Sequence, residues 1–128
     1  MKNKSVQFTA AIIFFVISCG VLFAHHGASA YDRSKLTNFK ATITEFRYIN
    51  PHVQIFFDAK DDKGATIRWN CESINPGMLS KQGWTKNTLK AGDQVTLVAF
   101  PAREGAPVCL LQKLILPDGK TLDTVLLD

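Results

Sequence analysis

Ile67-Arg68-Trp69-Asn70-Cys71-Glu72, followed closely by Asn75-Pro76-Gly77-Met78-Leu79-Ser80-Lys81-Gln82-Gly83, is the stretch that decides the fold. Its first part alternates apolar and polar residues, the period of a half-buried strand. Its second part opens on Asn75 as a cap with a first-turn proline at Pro76 and closes on Gly83. That pattern predicts a short helix with both ends written into the sequence. Upstream lie two more strands. Residues Phe39 to Ile49 are rich in β-branched and aromatic side chains, and Asn50-Pro51 then marks a turn. Val53, Ile55, Phe57 and Ala59 alternate with Gln54, Phe56 and Asp58. The turn Asp61-Asp62-Lys63-Gly64 joins this second strand to the third, with Gly64 supplying a positive φ. Downstream, Trp84 is expected to pack the helix over one end of the fold. Ala91-Gly92-Asp93 turns the chain, Val95, Leu97 and Ala99 open a fourth strand, and Pro101 ends it. Arg103-Glu104-Gly105 is another turn, Val108 to Leu116 a fifth strand stopped by Pro117-Asp118-Gly119, and Leu122 to Leu127 a short edge strand.

The order is three strands, a helix, then two strands, all within residues 36–128. This predicts an all-β fold: a small five-stranded Greek-key barrel of the oligonucleotide/oligosaccharide-binding (OB-like) type, with one short helix between strands 3 and 4. A meander carrying a decorative helix has the same element order and remains the competing arrangement. In the barrel, strands 3 and 5 are neighbours, and they carry Cys71 and Cys109. A disulfide between these two is therefore expected, provided the chain reaches an oxidising compartment. The alternative is a pair of small buried thiols packing as apolar residues.

The first residues point to such a compartment. Lys2 and Lys4 precede an apolar run from Val6 to Val16, and Leu22-Phe23-Ala24 is an acceptable peptidase site. Residues 1–24 thus read as a secretory signal, too short in its core to span a membrane. A flexible leader over 25–35 and a single domain over 36–128 follow. The expected location is periplasmic or secreted. Two other exits are legible: Ala28-Ser29-Ala30, and Cys19 as a lipidated terminus, which would make a lipoprotein. Loss of Lys2 and Lys4 takes the formal net charge from +4 to +2. So small a balance excludes nucleic acid as the expected partner. No second apolar segment approaches membrane-spanning length, so no transmembrane helix is expected in the mature form.

Several pieces together resemble a family of small exported bacterial proteins classed as a domain of unknown function. They are Ala24-His25-His26-Gly27, Asn50-Pro51-His52, Trp69 with Glu72, Gly83-Trp84-Thr85-Lys86-Asn87-Thr88-Leu89, Gly92-Asp93-x-Val95 and Leu116-Pro117-Asp118-Gly119. Members usually carry Ser where this chain has Gly27, and Cys71 and Cys109 are outside the pattern. The resemblance implies an exported, barrel-like single domain. It implies no activity and names no catalytic residue.

The chain has three histidines. Cleavage after Ala24 would leave His25 with a free amine and His26 beside it, and His52 stands at the mouth of a hairpin. Three imidazoles and an amine suit a borderline metal such as Cu(II). The terminal pair is similar in this local feature alone to the copper brace of the lytic polysaccharide monooxygenases. The bland alternative is an adventitious terminal chelate, with His52 a turn residue bonding to backbone. Glu72 would supply an oxygen to a metal or ligand if it faced a groove; otherwise it is a solvated residue or a partner for Arg68. Trp69 would stack on a sugar ring or fill the core. No general base, open-site triad or buried carboxylate pair stands out, so no catalytic role is expected. Two functions follow as expectations: an exported binding or accessory module taking copper through His25, His26 and His52, or a metal-free protein- or glycan-interaction domain using the face around Trp69 and Glu72. The partner in either case is an unknown protein or small ligand in the cell envelope.

Overall fold

In the computed structural model the described residues are 27–124. The chain divides into two units, Met1–Ala30 and Tyr31–Asp128. The signal segment, Cys19, His25 and His26 lie outside the described residues. Of the first unit, only a single 3-10 turn at Ala28–Ala30 is described.

The second unit is the barrel. Its strands are β1 (Thr37–Arg47), β2 (Gln54–Lys60), β3 (Thr66–Glu72), β4 (Gln94–Pro101), β5 (Val108–Ile115) and β6 (Thr121–Asp123); the helix α1 (Pro76–Lys81) lies between β3 and β4. The sheet runs β3-β2-β1-β4-β5-β6, and a parallel pairing of β3 with β5 closes the first five strands on themselves. The expected five-stranded barrel is therefore the fold, and the meander is ruled out by that closing pair. Alternation places the strands, with a break in β4 where Leu97, Val98 and Ala99 are all buried and the register shifts. Ile55, Phe57 and Ala59 of β2 are buried while Gln54, Phe56 and Asp58 are half-exposed. Pleating sends successive side chains to opposite faces, so one face of every strand feeds a single core.

Local chemistry fixes the connections. The Asp61 carboxylate accepts from the backbone N–H of Lys63 (2.9 Å) and Ala65 (2.8 Å), and Gly64 takes a φ of +82° to complete the β2–β3 turn. This turn sets the β2–β3 register, Asp58 opposite Arg68 and Gln54 opposite Glu72. The helix begins where Asn75 Oδ1 accepts from Met78 N–H at 2.9 Å, with Pro76 in the first turn, and ends at Gly83, φ +87°. Although α1 is only six residues long, it plugs one barrel end. Leu79 and Trp84 are 0% and 1% exposed. The Trp84 indole N–H donates to the Asp123 carbonyl at 2.9 Å, and the Tyr48 hydroxyl donates to the Pro76 carbonyl at 2.9 Å. Among the described residues no helix is long and apolar enough to cross a membrane.

Two expectations need correction. The stretch read as a flexible leader ends earlier than residue 35. Tyr31 is buried and bridges to Ala102, and Asp32 N–H donates to the Pro101 carbonyl at 2.8 Å. A lone aromatic has enough apolar area to hold the segment against the barrel. Cys71 and Cys109 are direct partners across the parallel β3–β5 pair, as the barrel topology requires, yet both are free, fully buried thiols rather than a disulfide. Topology dictates that they are neighbours; it does not dictate their oxidation state. Burial, and after it the adjoining Cys109 thiol, pushes the Cys71 thiol well up, and the two buried side chains pack as apolar residues.

Candidate functional site

Three polar side chains meet on the outside of the barrel from segments far apart in sequence: Tyr31, His52 and Glu72. The β2–β3 register explains the first meeting. Gln54 faces Glu72, and the pairing runs on past the strand end, Ser73 N–H donating to Val53 O (2.9 Å) and Val53 N–H to Ile74 O (3.1 Å). His52 thus lies two residues before the position opposite Glu72. Such diagonal neighbours on one face of an antiparallel pair are within reach of each other. His52 Nδ1 contacts Glu72 Oε1 directly. The loop leading to it carries a cis Asn50–Pro51 bond.

The other carboxylate oxygen is also taken. The Tyr31 hydroxyl donates to Glu72 Oε2 at 3.0 Å. Burial, then the Glu72 charge beside it, pushes the Tyr31 hydroxyl above the usual phenol range, so it stays protonated and remains a donor. Glu72 is therefore clamped at both oxygens, its side chain one-third exposed, whereas 55% of the His52 side chain remains open. With Nδ1 committed to the carboxylate, Nε2 is the ring nitrogen left open to another partner. A carboxylate bonded to one ring nitrogen in this way fixes the orientation of the imidazole.

The sequence brought out His52 and Glu72, but not as a pair, and passed over Tyr31. Glu72 is not the partner of Arg68. The Arg68 guanidinium pairs in fork geometry with Asp58 across the strand, at 2.9 and 3.0 Å. Nor do Glu72 and Trp69 share a face. Glu72 is on the outer side, while Trp69 packs inward against Phe39, with ring centroids 4.7 Å apart, and parallel to Phe57 at 6.3 Å. The signal that would have found Tyr31 is its type: an aromatic among Ala28-Ser29-Ala30 and Asp32 is out of place in a solvated leader.

Among the described residues no group of three His, Cys, Asp or Glu side chains is placed to hold a metal ion. His52 is the one barrel imidazole, since the chain's other two histidines are His25 and His26.

Compared with known proteins, the chain matches the model of one family, described as a family of unknown function (DUF6152), over residues 14–111. No curated protein and no solved structure matches it.

Proposed function

The chain belongs to the family of unknown function DUF6152, and from the site above we propose that it is an exported binding module for a copper-class transition-metal ion, with His52 as the barrel's ligand. The observation that carries this reading is the clamp: Tyr31 holds Glu72, and Glu72 holds His52 Nδ1, which reserves Nε2 for a metal. Imidazole suits copper and zinc, and copper stands highest in the affinity order of divalent ions. In this reading the further donors are the imidazoles of His25 and His26, and the amine of His25 if the signal is removed after Ala24. Location in the periplasm or outside the cell, with or without a lipid on Cys19, follows from the same N-terminal residues and belongs to the proposal. Glu72 and Tyr31 are positioning residues, and no reaction is assigned to the site.

The test is a Cu(II) titration of the processed protein followed by calorimetry, beside His52→Ala and a variant with His25 and His26 both replaced by Ala. Loss of His52 is expected to weaken binding by at least tenfold, about 1.4 kcal/mol. Affinity unchanged in His52→Ala would confine any copper to the terminal pair and remove the barrel from the reading.

A further inference from the structure

The barrel end opposite α1 is built differently. There the start of β1, the β2–β3 turn, the start of β3 and the end of β4 surround a cavity of about 500 Å³. The volume is within the roughly 300–1,000 Å³ typical of small-molecule sites. Its floor is apolar and aromatic: Phe39, Ile67 and Trp69. Trp69 and Ile67 are only partly buried here, while Phe39 and Phe57 pack against the Trp69 ring from within. The indole is thus held rigid by neighbouring rings and retains accessible surface toward the cavity. The rim is charged but balanced, with Lys40 and Lys60 set against Asp61 and Asp62.

We propose that this mouth binds a neutral sugar ring, stacked on Trp69 and hydrogen-bonded by the rim. The assignment rests on the combination of floor and rim. A fixed aromatic face suits the C–H side of a pyranose, whose edge hydroxyls then need donors and acceptors around it. Asn38 and Asp62, both exposed, offer them, whereas Asp61 Oδ1 is already committed to the turn and Lys60 Nζ to Thr66 Oγ1 at 2.7 Å. A polyanion would require an excess of cations at the rim, and a purely aliphatic ligand would strand the charged groups without water. The site is distinct from the His52 cluster: Trp69 sits opposite Phe57 in the β2–β3 pair, and Glu72 opposite Gln54.

Nitrogen-15 NMR of the indole N–H groups tests it, because the chain has two tryptophans and the second is an internal control. Trp84 is buried in the helix plug with its N–H bonded to Asp123 O. Maltose, cellobiose and chitobiose are titrated separately to about 10 mM, tenfold above a Kd of ~1 mM. At least one should move the Trp69 resonance in a saturable way and leave Trp84 in place. The rim variant Asp62→Ala, whose side chain is exposed and outside the core, should weaken that sugar about tenfold. The proposal is overturned if none of the three sugars moves Trp69, if Asp62→Ala together with Asn38→Ala leaves the affinity unchanged, or if indole, a ring without hydroxyls, binds as tightly as the best sugar.

Discussion

The helix-plugged end and the Tyr31–Glu72–His52 cluster are opposite ways of using a side chain. At the plug, Leu79 and Trp84 are almost wholly buried, and the Trp84 polar atom is satisfied by backbone. Their contribution goes into holding the barrel closed. In the cluster, the hydrogen-bonding capacity of Tyr31 and Glu72 is spent on fixing one imidazole that stays more than half open. A residue that packs supports every other part of a small domain equally. A residue that orients supports one atom, here His52 Nε2. Substitutions at the two places should therefore separate stability from binding.

The largest effect is expected at the plug. Trp84→Ala deletes a buried indole and its bond to Asp123 O, and should destabilise the fold by about 3–5 kcal/mol. Denaturant unfolding monitored by circular dichroism would show it. Metal affinity of the fraction that remains folded should match the parent. If affinity fell along with stability, the division between packing and orienting residues would fail.

Glu72→Ala reverses the pattern. It removes both contacts of the clamp and frees the His52 ring, so Cu(II) affinity should fall about 10–100-fold, as for other residues that orient a metal-binding histidine. Its cost in stability, about 1–3 kcal/mol, is that of leaving the partly buried Tyr31 hydroxyl without an acceptor. His52→Ala, with an exposed ring, should change stability by no more than about 0.5 kcal/mol. A Glu72→Ala protein with parental copper affinity would show that the carboxylate positions nothing.

The smallest effect is visible only in alkali. The unfolded tyrosine titrates near 10, whereas the folded Tyr31 hydroxyl is raised by burial and by Glu72. The stability linked to that shift is complete below about pH 10 and is lost as the pH rises through the higher folded value. Tyr48 is raised too, by burial, and these are the chain's two tyrosines. Phenolate absorbance of the native protein should therefore rise at higher pH than that of the unfolded chain, with Tyr31 the later of the two phenols to ionise. A phenol that ionises near pH 10 in the folded protein and is absent from Tyr31→Phe would show that Tyr31 is not sealed against Glu72.

Much of the barrel is legible in the sequence because its causes are local. Asn75-Pro76 and Gly83 bound the helix, Gly64 turns the hairpin, and alternation from Val53 to Ala59 marks an inner and an outer face. Even the Cys71–Cys109 register follows once strands 3 and 5 are neighbours. The cluster is less legible because its contacts are not local. Tyr31 and Glu72 are 41 residues apart, and no pattern within a strand announces that meeting. Glu72 had a nearer apparent partner in Arg68, but the cross-strand Asp58 lies directly opposite that arginine and takes it. The His52–Glu72 contact was in principle recoverable, since the Asp61–Gly64 turn fixes the register that makes them diagonal neighbours. The oxidation state of the cysteines was not, because free thiols and a bond satisfy the same strand order.

The most direct test of the account is the state of the two His52 ring nitrogens, read by long-range nitrogen-15 NMR before and after addition of Zn(II), a diamagnetic stand-in for copper. The clamp predicts a proton on Nδ1, donated to Glu72, and a bare Nε2 whose resonance alone moves sharply when the metal is added. A neutral ring protonated on Nε2, or a metal-induced shift at Nδ1 with Nε2 unmoved, would contradict it.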